Sequence, residues 1–479
     1  MHFMNVRLQP LFAFVVSTCA ALRTAVVHAI ICGIAFGVNS CQPPVNSPAQ
    51  RDASAEAVLY RNGILSSANV NPEPFTLDLK EFIHVAMRDL YLWNSSVPEN
   101  GNLQRFSTPQ QVLTAFRHPE DRFSALIEDG QAYINLLLQG DESTFGLSVK
   151  SRADTALFIA QVDMGSPADE AGLQRGMRIM AFNGIPYTRF IERSASVDGF
   201  SSPLSVTVRS GDTNRTVTLI RRVVNVKFVP HTSVFQIGGR RVGYLVLSAF
   251  LGKADEELNT AFARFKNQGV NELILDLRYN GGGLLSIAQN LASHIAPQLA
   301  GTVLTRLRYN DRYLKNNRAL NFESRANGLN LQRLVVITSG NTASASELII
   351  NGLLPHINVV VVGSRTVGKN VGSNTTATFH QRSGYLFIPI SFGFENSRGE
   401  RNFGNGFSPN IPALDDVTKN WGDPSEASLA AALRFIERGT LPKLSAREEA
   451  EIAAESAAKL LYVGKSYRHD MPVFDAPQR

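Results

Sequence analysis

The spacing of apolar residues changes along the chain and divides its body into three regions. Between residues 73 and 135 apolar side chains recur every three to four positions, which predicts a small N-terminal helical domain. Between 140 and 226 they alternate with polar residues, which predicts short strands interrupted by a helix beginning at Ser166. From 227 to 440 short apolar strands alternate with amphipathic helices. This last pattern predicts an α/β fold in which helices bury a sheet.

The two ends of the chain have different compositions. Residues 1–40 contain two apolar runs, two arginines and no acidic residue, which is typical of an export signal. Each run is shorter than the roughly 20 residues that span a bilayer, so cleavage is favoured over an uncleaved anchor, which stays an alternative. Residues 41–72 are rich in Pro, Ser and Asn and predict a tether. Residues 441–479 are predicted to form a C-terminal helix, over 445–462, and a polar tail.

The composition excludes several classes of site. The 479 residues carry a net charge of only +6, which argues against a nucleic-acid binder built on charge density. Cys19, Cys32 and Cys41 are all of its cysteines and lie in the first 41 residues. The body therefore has no disulfide core, zinc-thiolate site or cysteine nucleophile, and we expect neither a metal nor a cofactor.

A glycine-rich turn follows one predicted strand. Residues 276–283 read Asp-Leu-Arg-Tyr-Asn-Gly-Gly-Gly. Three consecutive glycines let the backbone turn sharply and leave N–H groups unshielded, so the turn could cradle an oxyanion. A plain turn between a strand and a helix is the alternative.

A serine stands at the start of a predicted helix. Residues 342–347 read Thr-Ala-Ser-Ala-Ser-Glu, and Ser344 followed by Glu347 fits a capping box. Ser344 is thus either a structural N-cap or a nucleophile, since the free N–H groups at a helix start stabilise developing negative charge.

A lysine follows the next strand. Residues 363–369 spell Gly-x-x-x-x-Gly-Lys, but Asn370 replaces the hydroxyl residue of a phosphate-binding loop and the following residues are β-like. Lys369 in this turn could be desolvated, which lowers the pKa of its amine and makes it available as a base.

Together these three motifs resemble the C-terminal processing, or tail-specific, serine peptidases, in which the same motifs occur in this order. Lys369 lies 25 residues after Ser344, which is the family spacing. The resemblance implies a crotonase-like ββα protease core in which Ser344 is the nucleophile and Lys369 the general base. It also implies an oxyanion hole formed by Ala345, Gly282 and Gly283. Ser373 stands where many members have a glutamine that orients the lysine.

The β-rich region resembles a PDZ domain. Phe145, Gly146 and Leu147 precede a strand and then a Ser-Pro-Ala-x-x-Ala-Gly-Leu sequence, which is the PDZ order. The resemblance implies that these three residues bind a peptide carboxylate while the peptide pairs with the next strand. A half-buried hairpin without a ligand is the alternative.

The sequence before the tether resembles a lipobox. Residues 38–41 read Val-Asn-Ser-Cys, so Cys41 is the expected lipidation site and the chain is expected in the cell envelope, anchored to a membrane.

These features together predict an exported serine endopeptidase. Its expected substrates are unfolded or C-terminally tagged polypeptides. Two rivals stay open: a Ser-His-Asp hydrolase, although the chain has no Gly-x-Ser-x-Gly elbow, and an inactive PDZ-bearing scaffold or peptide-binding lipoprotein.

Overall fold

The computed structural model describes residues 78–440 except 153–154, 193–195 and 375–377. Beyond 440 it describes the stretches 445–447, 450, 452, 460–468 and 473–475. The predicted leader, the lipidation site Cys41 and the tether lie outside the described residues. Among the described helices, none has both the length and the apolar character needed to cross a membrane.

The N-terminal region is helical, as its spacing predicts. Its elements are α1 (Leu79–Leu90), α2 (Pro109–Phe116), β1 (Ala125–Ile127) and α3 (Gly130–Gln139), with short 3₁₀ turns at Asn94–Ser96 and Leu103–Arg105. Capping boxes formed by Asp78 with Glu81 and by Thr108 with Gln111 start α1 and α2.

The region after α3 is a β-rich insert with its own apolar core. Its strands are β2 (Asp141–Thr144), β3 (Leu147–Arg152), β4 (Ala156–Val162), β5 (Arg178–Phe182), β6 (Ile185–Pro186), β7 (Leu204–Ser210), β8 (Thr213–Leu219) and β9 (Arg222–Asn225). Its helices are α4 (Pro167–Glu170), capped by Ser166, and α5 (Thr188–Ile191). Strands β3, β4, β5, β7 and β8 form one antiparallel sheet in that order, and β2 pairs with β9 where the chain enters and leaves.

The remaining elements alternate between strands and helices. The strands are β10 (His231–Ile237), β11 (Arg240–Val246), β12 (Glu272–Asp276), β13 (Val303–Tyr309), β14 (Arg318–Asn321), β15 (Arg333–Thr338), β16 (Asn358–Gly363), β17 (Val371–Asn374), β18 (Phe379–His380), β19 (Tyr385–Ile388), β20 (Ile390–Glu395) and β21 (Ile411–Pro412). The helices are α6 (Ala254–Asn267), α7 (Leu285–Ile295), α8 (Ala345–Leu353) and α9 (Ala427–Arg438), and 3₁₀ turns occupy Pro297–Leu299 and Asp311–Asn316.

The central sheet has the order β10-β11-β12-β15-β16-β21. Its strands from β11 onward are parallel, and β10 is antiparallel to β11. Residues of α6, α7 and α8 cover one face of the sheet and residues of α9 cover the other. Burial on both faces explains why these strands are nearly continuous apolar runs, and it confirms the predicted α/β class.

Two shorter sheets complete the core. One joins β1, β19 and β18, so the N-terminal region pairs with the core. The other has the order β14-β13-β20-β17-β23, in which β23 (Val473–Asp475) comes from the end of the chain.

The C-terminal region departs from the prediction. The helix expected over 445–462 does not reach its predicted end, because residues Leu460–Tyr462 form strand β22, which pairs with β3 of the insert. Residues expected in a polar tail include β23, which runs parallel to β17. Pairing with partner strands that are distant in sequence overrides the helix-favouring composition here.

Candidate active site

The candidate residues lie on loops at the carboxyl ends of three adjacent parallel strands, β12, β15 and β16. Ligands commonly bind at this edge of an α/β sheet. The first two loops are joined by hydrogen bonds: Thr342 Oγ1 donates to the Leu277 carbonyl at 2.7 Å, and Ala343 N donates to the Asn280 carbonyl at 3.1 Å. The glycine-rich turn and the serine loop are therefore one unit.

Ser344 has a strained backbone conformation at the start of α8. Its φ of 66° and ψ of −117° lie where residues other than glycine are rare, and the residue is fully buried. Its backbone N–H donates to Glu347 Oε2 at 2.9 Å, which is one half of the predicted capping box. The Ser344 hydroxyl makes no hydrogen bond to any described residue. The helix start is thus capped by Glu347, while the hydroxyl stays available for chemistry.

The glycine-rich turn packs directly against this serine. At Gly282, with φ of 116°, an added Cβ would lie 2.7 Å from the Ser344 Cβ, so only glycine fits. The Gly282 N–H already donates to Asn280 Oδ1 at 2.9 Å. The N–H groups of Gly283 and Ala345 have no acceptor among the described residues. In this structure they are therefore the available oxyanion donors of the three predicted ones.

Lys369 is buried in the facing loop, with 3% of its surface exposed. Its Nζ lies 4.9 Å from the centre of the Phe123 ring, so the N-terminal region helps to enclose the amine. The turn before it is held by Arg122, whose Nη2 donates to the Gly368 carbonyl at 3.0 Å. The desolvated position that the sequence predicts for this lysine is the one observed.

Glu347 connects the serine loop to the lysine loop. Besides Ser344 N, its carboxylate accepts from Lys369 N at 2.7 Å, Gly368 N at 2.7 Å and Thr366 Oγ1 at 2.5 Å. Burial raises the pKa of this carboxyl, and the hydrogen bonds from Thr366, Lys369, Ser344 and Gly368 oppose that rise. A single buried carboxylate thus fixes the position of both candidate catalytic loops.

The two candidate catalytic side chains are not hydrogen-bonded to each other. Since the Ser344 hydroxyl has no hydrogen-bond partner in the described part of the chain, it is not bonded to Lys369 Nζ. Ser373 is fully buried on β17, and its hydroxyl also bonds to no described residue, so it does not orient the lysine here. In this structure neither of these hydroxyls therefore bonds the amine of Lys369.

A buried ionic network lies below the glycine-rich turn. Arg278, 1% exposed, bonds Asp276 at 2.7 Å, Asp415 at 2.9 Å and Glu426 at 2.8 Å, so it joins β12 to the start of α9. Tyr279 OH donates to Asp415 Oδ2 at 2.6 Å. The network fixes the backbone from which the glycine turn projects.

Two cations of the β-rich insert enter the same network. Lys150 on β3 bonds Asp415 at 2.7 Å, and Arg175 bonds it at 3.1 Å. Burial alone would raise the pKa of Asp415, but Lys150, Arg278 and Arg175 outweigh it and hold this pKa far below its usual range. Asp415 is therefore ionised at any working pH and couples the insert to the core.

The predicted carboxylate-binding residues lie at one end of the insert. Gly146 has a φ of 75°, and Phe145 and Leu147 are buried on either side of it. The edge of β3, which follows them, is occupied by β22 of the same chain.

Several residues of this site have roles that the sequence alone does not reveal. Glu347 was recognised only as a cap, although its proximity to the lysine loop is what joins the two halves. Asn280 lies inside a recognised motif, but its hydrogen bonds are visible only in the fold. Asp415 and Phe123 carry no sequence signal, because their importance comes from contacts with residues more than 100 positions away.

Comparisons with known proteins give matches to one peptidase family. Residues 241–413 match the model of peptidase family S41, and residues 78–125 match the model of the peptidase S41 N-terminal domain. The carboxyl-terminal-processing protease of Synechocystis is 29% identical over 284 residues, which cover 57% of this chain and 63% of that protein. The protease of the same name from Picosynechococcus is 30% identical over 263 residues, which cover 53% of this chain and 60% of that protein.

The chain thus spans about three fifths of the length of these curated relatives. A solved structure of a Bacteroides fragilis protein assigned to the S41 proteases superposes with a TM-score of 0.62 at 27% identity, covering 78% of this chain and 100% of that one. These matches confirm the family resemblance carried by the sequence motifs.

Proposed function

We propose that this chain, whose residues 241–413 and 78–125 match the peptidase S41 models, is an exported serine endopeptidase with a Ser344–Lys369 dyad. One observation carries the proposal: the strained Ser344 and the buried Lys369 are tied through their backbones to the same buried carboxylate, Glu347. If Ser344 and Glu347 served only to cap α8, Glu347 would not also need to hold the loop that carries the buried amine of Lys369.

The proposed reaction proceeds through an acyl-enzyme. Neutral Lys369 takes the proton from Ser344 Oγ, which attacks the peptide carbonyl; the lysine then returns the proton to the leaving amine. Water, activated by the same lysine, releases the acyl group. Ala345 N–H and Gly283 N–H stabilise the oxyanion, and loss of one such donor typically costs about 10²–10³ in rate. Gly282 N–H can act as a third oxyanion donor only if it breaks its hydrogen bond to Asn280 Oδ1.

The regions of the chain receive roles that follow from this proposal. Residues 227–440 form the crotonase-like protease core, and 140–226 form a PDZ domain in which Phe145, Gly146 and Leu147 bind the C-terminal carboxylate of an unfolded polypeptide. Export through the 1–40 leader and lipidation of Cys41 place the enzyme at a membrane of the cell envelope.

The test compares matched variants on an unfolded polypeptide with an apolar C-terminus. We expect Ser344→Ala and Lys369→Met each to lower the cleavage rate by about 10³-fold or more. The controls Ser425→Ala and Lys253→Met change exposed residues and should keep full activity. Rates should rise with pH as the Lys369 amine loses its proton.

Other outcomes identify the rivals. Full activity of Lys369→Met would refute the base assignment, and total loss on replacing one histidine would favour a Ser-His-Asp hydrolase. Binding of the polypeptide without any cleavage by the wild-type chain would favour the scaffold.

A further inference from the structure

A segment of the chain itself occupies the peptide-binding edge proposed for the insert. Strand β22 lies antiparallel to β3, with Leu461 opposite Val149 and Tyr462 opposite Ser148. The pairing continues at Val463, whose N–H donates to the Leu147 carbonyl at 2.9 Å. The segment therefore adds a strand at the position where a bound peptide would add one.

The last residues of the segment fill the end of this edge. Val463 is 2% exposed and packs in the apolar core of the insert together with Phe145 and Leu147. The chain then turns away at Gly464, whose φ is 82° and whose N–H donates to the Val197 carbonyl at 2.7 Å. An apolar side chain beside the Phe145–Leu147 loop is what the terminal residue of a peptide ligand would supply. In this structure Val463 of the same chain takes that position.

The opposite face of the segment contacts the protease core. Leu460 and Tyr462 are buried in a cluster with Tyr279 and Val417, and Tyr279 directly precedes the turn that packs on Ser344. Beyond the turn, Arg468 is buried and bonds Asp163 and Glu142 of the insert at 2.6 and 2.9 Å. The segment thus lies between the insert and the residues that position the catalytic turn.

A second described stretch near the end of the chain also pairs with the core. Strand β23 runs parallel to β17, with residue 474 opposite Ser373, four residues after Lys369. It also lies beside α7, the helix that follows the glycine-rich turn. Strand β23 therefore contacts both the strand that follows Lys369 and the helix that follows the glycine-rich turn.

We propose that residues 460–464 are an intramolecular ligand that competes with substrates for the edge of β3. A substrate must displace 460–464 from β3 before its own C-terminus can bind. This inference rests on the proposed function and gives its peptide site a regulator. When the tail and a peptide compete for the same edge, the apparent affinity for the peptide equals its intrinsic affinity multiplied by the fraction of molecules whose edge is free.

A reversible cross-link tests the proposal. Because Val463 and Leu147 form a hydrogen-bonded pair, Tyr462 and Ser148 form a non-hydrogen-bonded one, whose Cα atoms lie about 4.5 Å apart. Ser148→Cys with Tyr462→Cys can therefore form a disulfide. The natural cysteines all lie in the first 41 residues, so the new pair is alone in the body. Thr207→Cys with Thr216→Cys, on β7 and β8, is a matched disulfide that leaves the tail free.

The readout is binding and needs no activity. A fluorescent peptide with the sequence of residues 456–463 and a free carboxylate at Val463 is titrated into each pair in a Ser344→Ala background. We expect the oxidised tail pair to bind about tenfold or more weakly than its reduced form, and the control pair to bind equally in both states. Val463→Asp, which places a charge in the apolar core, should bind the peptide more tightly than the unaltered tail.

Two results overturn the proposal: equal binding by the oxidised and reduced tail pair, or no binding in any form, including Val463→Asp. Cleavage is measured separately on the same pairs with Ser344 intact. Absence of cleavage in every form would contradict the proposed function, while the binding comparison still decides whether the tail competes for the edge.

Discussion

Glu347 determines the geometry of the site at the scale of single residues. Each of its oxygens accepts two donors, and these come from both the serine loop and the lysine loop. A glutamine at this position has the same shape but turns an N–H₂ group toward two of those donors. Donors left unpaired in a buried site cost about 1–3 kcal/mol each.

We therefore expect Glu347→Gln to lower kcat by about 10²-fold with little change in KM, because the dyad is misplaced while substrate binding is not. The acidic side of the pH profile should also change. In the wild type, the raised pKa of Glu347 means that its carboxylate is lost as pH falls through a value above the usual range; the variant lacks this step. Exposed Glu437→Gln is the control. An unchanged kcat would contradict the positioning role.

Gly282 gives a second prediction at this scale. Gly282→Ala would place a Cβ 2.7 Å from the Ser344 Cβ, so we expect activity to fall by about 10²-fold or more. Gly301→Ala is a matched control, because Gly301 also has a positive φ, of 85°, but nothing lies within 4 Å of its added Cβ. Urea unfolding of both variants separates backbone strain from the clash. Equal activity in the two would refute the close packing of the turn on the serine.

The sequence could identify the candidate catalytic residues but not their present arrangement. Ser344 and Lys369 stand in short motifs at a recognisable spacing. Three features could not be predicted because they depend on the surrounding fold. They are the strained conformation of Ser344, the hydrogen bond from Gly282 N–H to Asn280 and the unbonded hydroxyl of Ser373.

At the scale of elements, helix α7 contains a buried neutral histidine. His294 is 1% exposed, stacks on Phe262 with ring centroids 4.7 Å apart, and bonds Asn259 through Nε2 at 2.8 Å. Burial, with a smaller contribution from Arg325, lowers its pKa to about 4. Protonation would bury a charge next to an aromatic ring, so it is disfavoured in the folded state.

This histidine makes a pH prediction for stability. Its folded pKa lies below the unfolded value of about 6.5, so the stabilisation is complete above pH 6.5 and is lost as pH falls towards about 4. The free energy of unfolding should drop by up to about 3 kcal/mol over that interval. In urea titrations at several pH values, His294→Gln should reduce the dependence of the unfolding free energy on pH. The part of that dependence due to His231, whose pKa is also lowered, should remain. An unchanged slope would contradict the account.

The elements were predictable where their signals were local. Apolar periodicity predicted the helical character of the N-terminal region, and the Ser166 and Ser344 motifs predicted the starts of α4 and α8. Strand β22 was missed because an Ala/Glu-rich stretch precedes it and because its conformation depends on pairing with β3, more than 300 residues earlier.

At the scale of the whole molecule, Asp415 joins the β-rich insert to the α/β core. It bonds Lys150 and Arg175 of the insert. It also bonds Arg278 and Tyr279, which lie just before the glycine-rich turn. Such a network cannot be read from sequence, since Asp415 stands more than 100 positions from each of these four residues. Their consequence is that a change in the insert can alter the turn that packs on Ser344.

We expect Asp415→Asn to destabilise the chain by about 3–5 kcal/mol, because it leaves buried cations without their carboxylate. Calorimetry should show a lower Tm and a separation of the insert transition from the core transition. Asp212→Asn, at an exposed position, is the control. A single unshifted transition would show that Asp415 does not couple the two parts.

The central claim is that Ser344 is acylated with Lys369 as its base. The direct measurement is the intact mass, followed by peptide mapping, of the enzyme quenched during turnover of an activated peptide ester. We predict an acyl group on Ser344, absent in Ser344→Ala and formed about 10³-fold more slowly in Lys369→Met. An acyl group on another residue, or an unchanged rate of acylation in Lys369→Met, would contradict the account.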